Sequence, residues 1–566
     1  MSTGLDTETL NMILSAIQEF AAQRAPWALL RELDARDECP EELLREMYGP
    51  QFGIHLLFIP EEYGGMQASA YDIYRVSEAI ARIDLGLASA VLATFLGLDP
   101  ITVGGTPEQK AKWMSRVAEQ GMVVAYGVTE PTAGSDLTAL RTRADPVRAK
   151  QDNGQQAADG YVRLDSSPIV GYRLNGAKQF ITNGGIADMY TILARAPDGF
   201  SFFIVEKGTK GLTAGKPEDK HGIRISNTAP LLLEDVYVPA ENLVGGVEGQ
   251  GMLQAQQVFG YTRLMVAAFG LGGGMAALDL GIAYAKERVQ AESPLIDKQA
   301  YTHKLLVPHA VRMQAARAYI EEIARRTDAG ERELTTEGAI AKLVASEAGN
   351  AAADAAIQAL GGYGYMREYQ VEKIRRDVRI TTIYEGTSEI IEWTIARDRW
   401  RVHLQTRGQH YAEAATVLHG LHAKSPQVGA DTVSLSLNAL NVILEHCRVG
   451  RLTRNQHILF RLGEWIAMAE SAAALARYAA TYPPGSSSSL RYPSYASPAA
   501  VQAMSRIYAR EVAMRIATEG LRWIQGSQDQ DVSGDLATAL NMAAVYQAQR
   551  GLLADTDRVA QAIRNS

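Results

Sequence analysis

In the run TTIYEGTSEII, residues 381–391, one carboxylate stands among small and apolar side chains: Glu385, between Tyr384 and Gly386. An ionised carboxylate is costly to take out of water, so a glutamate in such a run finds a partner, stays wet, or holds a proton at a raised pKa and moves it as a general base. The local residues leave all three open. A second signal is YGVTEPTAGSD, residues 126–136, where Pro131, Thr132, Ala133, Gly134 and Ser135 make a turn. Its amides and hydroxyls are of the kind that meet a phosphate or a polar ring edge. KQFITNGG, residues 178–185, ends a strand in Phe180, Ile181 and Thr182. Taken singly, a hydroxyl-rich turn and a core aromatic are the ordinary readings of these two stretches.

Residues 1–120 are expected to be mostly helical: Leu10, Ile13, Leu14, Ile17 and Phe20 recur at helical spacing, and TPEQ at 106–109 offers Thr106 as a cap, Pro107 in the first turn and Gln109 for a capping box. From 121 to 242 the pattern changes to short β-rich runs, MVVAYGVT, YRLN, MYTILARA, FSFFIVEKG and APLLLEDVYV, with turns expected at Asn175-Gly176 and Asn183-Gly184-Gly185. The polar stretch between Asp145 and Val170 reads as a surface excursion. Ala-rich periodic segments over 243–400 predict a helical bundle whose small residues allow close approach. A further helical domain is expected over 401–566, with Leu462, Trp465, Ile466, Ala469, Ala472, Ala473 and Ala476 forming one stripe. YPPGSSSSLRYPSYASP, 482–498, reads as a loop or linker.

The bulk numbers bound the function. The 566 residues carry 47% hydrophobic and 21% charged side chains and a formal charge of -8, without a Lys/Arg-dominated stretch, which argues against a nucleic-acid partner. Two cysteines, Cys39 and Cys447, are too few for a disulfide framework or a thiolate metal cluster, and no metal site is expected. The N-terminus lacks a basic start followed by an apolar run, and no apolar stretch of about 18 residues stands out. These features predict a cytoplasmic protein. The 482–498 segment lacks a basic amphipathic pattern, so membrane association is not expected.

Together, YGVTEPTAGSD, YRLNGAKQFITNGG, HGIRISNTA, IQALGGYGYMREYQVEKIRRD and IYEGTSEI stand in the order and spacing of the acyl-CoA dehydrogenase family, which the chain resembles over residues 40–400. The tail resembles the extra helical domain of the very-long-chain type. The resemblance implies a mainly α fold with a central β domain: an N-terminal helical domain, a middle β-barrel domain, a helical bundle with FAD held between them, and the C-terminal extension. It implies that Tyr126, Val128, Thr129, Ser135, Phe180, Ile181 and Thr182 line the flavin, Phe180 standing where the family commonly has Trp. Gln358, Gly361 and Gly362 match positions by which a neighbouring subunit reaches the adenosine end, Thr387 and Glu389 match further FAD contacts, and Ser135, Arg263, Tyr384 and Gly386 match the substrate side.

Glu385 then matches the catalytic base, which takes the proton from the carbon next to a thioester carbonyl as a hydride leaves for flavin N5. Some branches carry the base just before the arginine of FGYTR, 259–263; here Thr262 fills that place, leaving Glu385 as the base candidate with Arg263 as its electrostatic partner. The expected product is a trans-2-enoyl-CoA, in the chemistry of fatty acid β-oxidation, and the expected electron acceptor an electron-transfer flavoprotein. The chain also departs from the family. Where the family has an Arg-x-(Gln or Thr)-Phe-Gly run for the FAD pyrophosphate, Arg288 and Gln290 match but Ala291 and Glu292 replace the aromatic and the glycine. Gly260 stands where a polar residue often touches the pantetheine chain. Two alternatives share the fold: an acyl-CoA oxidase, and a non-dehydrogenating DNA-binding relative that wants a basic C-terminal surface. The tail implies a homodimer in place of the tetramer of shorter relatives.

Overall fold

The computed structural model describes residues 4–49, 52–149, 168–331, 333–482, 493–528 and 533–566. Most of the expected excursion between Asp145 and Val170, and most of the 482–498 segment, lie outside them.

Six helices come first: α1 (Thr7–Arg24), α2 (Trp27–Arg36), α3 (Glu41–Met47), α4 (Ala70–Ile83), α5 (Leu85–Gly104) and α6 (Pro107–Gln120). The strands follow: β1 (Val124–Gly127), β2 (Arg143–Arg148), β3 (Ile169–Thr182), β4 (Met189–Ala196), β5 (Gly199–Glu206), β6 (Leu212–Ala214) and β7 (Thr228–Pro239). Beyond them lie α7 (Gly251–Glu287), a small hairpin of β8 (Val289–Gln290) and β9 (Ser293–Pro294), then α8 (Gln299–Leu305), α9 (Val307–Asp328), α10 (Thr335–Leu360), α11 (Gln370–Val378) and α12 (Ser388–Gln405). The tail adds α13 (Gln409–Lys424), α14 (Ala430–Val449), α15 (Gln456–Thr481), α16 (Pro498–Gln525), α17 (Ser533–Ala539), α18 (Met542–Ala548) and α19 (Leu552–Asn565).

The chain divides into two compact units. One contains Arg24–Ser69 and Gly86–Phe259; the other contains Asp6–Gln23, Ala70–Leu85 and Gly260–Ser566.

In the first unit the sheet runs β1-β4-β2-β3-β7-β6, with β5 also on β4; β1 and β4 are parallel, and β3 and β7 antiparallel. Its core gathers Ile59, Leu98, Trp113, Met114, Phe202 and Ile204. The capping box forms as expected: the Thr106 side chain accepts from Gln109 N–H at 3.2 Å, and the Gln109 side chain accepts from Thr106 N–H at 3.1 Å. Two expectations fail here. Asn175-Gly176 is not a turn, because β3 runs through it as a 14-residue strand. A register shift lies between Leu174 and Gly176, where a Cβ on the glycine would stand 2.5 Å from Thr142 Oγ1, so the glycine marks a bulge and a close approach. Likewise 145–148, assigned to the polar excursion, belongs to β2 despite Pro146. Among the described residues β2 pairs, beyond β3, only at Arg143 with Arg195 of β4, which leaves Pro146 on an edge that requires no N–H.

In the second unit, α9, α10, α12, α15 and α16 pack around an Ala-rich core. The expected stripes hold: Leu10, Leu14, Ile17 and Phe20 are buried on α1, and Leu462, Trp465, Ile466 and Ala469 on α15. Helices α7 and α10 meet backbone to backbone. A Cβ on Gly349 would lie 2.2 Å from the Gly270 carbonyl, and one on Gly338 2.9 Å from the Gly260 carbonyl. Leu85–Gly104 and Gly251–Glu287 are, against the sequence expectation, long and apolar enough to pass for membrane spans by length and composition, but 78% and 83% of their most apolar windows is buried within the protein. All-round apolarity marks a core helix as readily as a span.

Candidate active site

In the first unit, the sheet presents the 130–135 turn and the end of β3 together. Glu130 and Ala133 exchange backbone hydrogen bonds of 3.0 and 3.1 Å across the turn. Inside it the Glu130 carboxylate accepts from the amides of Arg141 (2.6 Å) and Thr142 (3.0 Å) and from Lys178 Nζ (2.8 Å), while Lys178 also donates to the Val128 carbonyl at 3.1 Å. Burial works to raise the Glu130 pKa, but the ammonium and the amides outweigh it and hold the group below its ordinary value. Burial draws Lys178 down to about 8 against the pull of Glu130, so both stay charged at neutral pH. The motif's carboxylate is therefore the internal strut of the turn.

The Gln179 amide donates to the Thr129 carbonyl at 2.9 Å, fixing β3 to the turn. Between Lys178 and Ile181 the register with β7 slips by one residue, and the extra residue, Phe180, takes φ 58 and turns its ring outward, 62% exposed. Beyond it, Asn183 at φ 61 bonds the Ala90 carbonyl at 2.8 Å and opens the expected Asn-Gly-Gly turn. Of the residues matched to the flavin, Val128 and Ile181 point into the core and offer only main chain; Tyr126, Thr129 and Thr182 are half-buried, and Ser135 is exposed.

In the second unit, Glu385 and Gly386 take φ 54 and 95, two successive left-handed residues before α12. A Cβ at Gly386 would meet Ile391 Cδ1 at 2.9 Å, so the second position requires glycine. Thr387, matched to FAD, caps α12, its hydroxyl accepting from Ile390 N–H at 3.4 Å, and Glu389 is exposed in the first turn. Thr262 Oγ1 on α7, 2% exposed, donates to Glu385 Oε2 at 3.0 Å. Arg263 reaches the Thr335 carbonyl at 3.5 Å and acts on the carboxylate through its charge; burial lowers its pKa, Glu385 and Asp398 oppose this, and a guanidinium remains charged throughout. The Glu385 residue keeps part of its surface open, yet burial of the carboxyl group raises its pKa, with Thr262, Arg263 and Lys342 pulling the other way. Tyr384 is half-buried beside it.

A separate cavity of about 440 Å³ in this unit is lined by Tyr284, Arg288, Gln290, Leu295, Gly361, Gly362 and Tyr363 among others. Gly361, at φ 59, ends α10, and neither it nor Gly362 has an atom within 4 Å of where a Cβ would stand. Gln358 is exposed just before it, outside this lining. Ala291 and Glu292 form the two-residue turn between β8 and β9 with φ 44 and 67. Such turns suit Asn-Gly, so the departure from the family also places two poorly suited residues in left-handed backbone. Glu130, Lys178 and Lys342 escaped sequence reasoning. The first two lay unassigned inside quoted motifs; the third had only the signal of a lysine interrupting the apolar run GAIAKLVASEA.

Residues 7–121, 125–236 and 249–399 match the N-terminal, middle and C-terminal domains of acyl-CoA dehydrogenase. An acyl-CoA dehydrogenase of Bacillus subtilis is 37% identical over 398 residues, 69% of this chain and 98% of that one. A solved chain from work on the electron transferring flavoprotein of Acidaminococcus fermentans is 34% identical, covers 70% of this chain and 99% of its own, and superposes with a TM-score of 0.62. An acyl-CoA dehydrogenase of Bacillus anthracis, solved with FAD, covers 98% of this chain and 95% of its own at a TM-score of 0.78; at 24% identity it shows the fold alone, tail included.

Proposed function

The chain belongs to the acyl-CoA dehydrogenase family, and we infer that it desaturates an acyl-CoA thioester at the α and β carbons with Glu385 as the base. The observation that carries this reading is the Glu385 carboxyl, raised in pKa by burial yet kept in reach of ionisation by one hydroxyl and two cations. A base must be ionised to begin and basic enough to take a weakly acidic proton, and a buried carboxylate with partial charge compensation meets both needs.

FAD fits the residues present. Each unit is suited to part of it when taken by itself: in the first, the outward ring of Phe180 on its bulge and the exposed Ser135 suit a planar, polar-edged head; in the second, the glycine-edged cavity beside Arg288 suits a polyanionic group. When bound, FAD supplies the acceptor for the hydride that leaves the β carbon. The protein's own part is the proton: Glu385 takes it from the α carbon, leaving a trans-2-enoyl thioester. Thr262 holds one carboxylate oxygen, so the approach of the other to the α carbon is directed. The left-handed turn at Glu385-Gly386 leads into the N-terminus of α12, and we assign the Glu385 main-chain N–H to polarising the thioester carbonyl. The likeness to the Acidaminococcus chain supports an electron-transfer flavoprotein as the next acceptor. We extend the reading to a homodimer in the cytoplasm.

The test is to mix protein and acyl-CoAs of short, long, branched and aromatic type without oxygen and follow the oxidised-flavin absorbance. One class should bleach it rapidly. Glu385→Gln should bind FAD and thioester but slow bleaching about 10²- to 10⁴-fold, the usual worth of a positioned base. Undiminished bleaching would assign the proton to another group.

A further inference from the structure

Of the two cations that act on Glu385, Lys342 also reaches the backbone of its turn. It is fully buried on α10, amid Ile340, Leu343 and Ala345, and donates through Nζ to the Gly386 carbonyl at 2.7 Å. Burying an ammonium for one carbonyl is expensive, and a neutral donor could make the same bond. Two features give it a purpose. The acceptor belongs to the second of two left-handed residues, Glu385 and Gly386, whose backbone needs an external hold. The cation also acts on the base through its charge: Glu385 is its foremost electrostatic partner, followed by Glu347, Arg263 and Glu389, and burial pulls its own pKa to about 8. From α7 the carboxylate accepts from Thr262 and feels the charge of Arg263, and from α10 it feels the charge of Lys342. The close crossing of α7 and α10 at Gly260 and Gly338 brings the two sets to one place.

We propose that Lys342 is the positioning residue of the base, its ammonium clamping the Gly386 carbonyl so that Glu385 stays in its left-handed turn, and its charge setting how readily the Glu385 carboxyl ionises. The proposal rests on Glu385 being the base, but its test reads the carboxyl itself, without substrate or turnover. In the FAD-loaded protein, the infrared carboxyl band that disappears in Glu385→Gln is titrated in wild type, Lys342→Met and Lys342→Arg. An opposite charge lowers a carboxyl's pKa, by about 1 pH unit or more when it stands within ~4–6 Å, so the Lys342→Met midpoint should rise toward that extent, and Lys342→Arg should stay within a few tenths of wild type. A midpoint unmoved in folded Lys342→Met overturns the proposal, whatever turnover does. Should Lys342→Met not fold, the reciprocal measurement decides: with ¹⁵N-labelled lysine, the Lys342 ammonium must lose its proton at lower pH in Glu385→Gln than in wild type, because the anion that holds the proton is gone. Equal midpoints there overturn it as surely.

Discussion

Phe180 offers a test in which one substitution should act with opposite sense on two states of the protein. The ring stands 62% exposed at a β3 bulge with φ 58, a backbone region that costs an ordinary residue about 1–2 kcal/mol. Phe180→Gly removes that cost and returns about 0.5–1 kcal/mol of it through the freer unfolded chain, so the FAD-free protein should be as stable as wild type or slightly more so. FAD binding should move the other way. A phenylalanine has about 200 Å² to bury; with 62% of the residue open, cofactor cover over half of that is about 60 Å², or about 1.5 kcal/mol at about 25 cal/mol/Å². The dissociation constant for FAD, read from quenching of flavin fluorescence, should therefore rise about tenfold. An unchanged constant, or an FAD-free protein weakened by more than about 1 kcal/mol, would show that the ring is a packing residue and refute the assignment.

Three further outcomes follow from the geometry. Thr262→Val deletes the hydrogen bond that lowers the Glu385 pKa, so the acid limb of flavin reduction against pH should shift up by about 1 unit while the alkaline plateau stays; an unmoved limb would remove Thr262 from the site. Glu130→Gln breaks a buried pair and should cost about 3–5 kcal/mol in urea unfolding near neutral pH. Because the folded pKa of Glu130 lies below its ordinary 4.5, its contribution is full above that value and lost as pH falls through the folded one, so wild type and variant should converge only in acid. Glu292→Gly relieves a left-handed glutamate and deletes a negative charge beside the cavity that holds Arg288, and should tighten FAD binding a few-fold in the same fluorescence titration.

The site was legible where chemistry needs a residue type in a fixed local frame. Glu385 stood out as a carboxylate in an apolar run, with its role open until the family resemblance was added, while the Thr106 box showed as a local pattern and the α15 stripe as a period. What escaped was set by partners distant in sequence. That Glu130 is a strut is decided by Lys178, 48 residues on, and by the amides of Arg141 and Thr142. The bond from Thr262 to Glu385 spans 123 residues. Asn175-Gly176 misled for a related reason: the dipeptide is a good turn signal in isolation, but pairing with β7 on either side of a register shift made it a bulge within one strand. The start of the polar stretch misled as well: it pairs with β3 as part of β2, and Pro146 is tolerated there because a proline bars a strand only where a neighbour needs its N–H.

The meeting of α7 and α10 bears on how such an enzyme can change its diet. The helices that carry Thr262 and Lys342 touch through main-chain atoms at Gly270 and Gly349, so their spacing is a property of the polypeptide itself and owes little to the bulk of neighbouring side chains. Evolution, or a laboratory selecting for a bulkier thioester, can exchange many of the surrounding apolar groups while Thr262 and Lys342 stay in register. The same contact leaves no room for a side chain at Gly270 or Gly349, and a deep mutational scan should find both as intolerant under every substrate selection as Glu385.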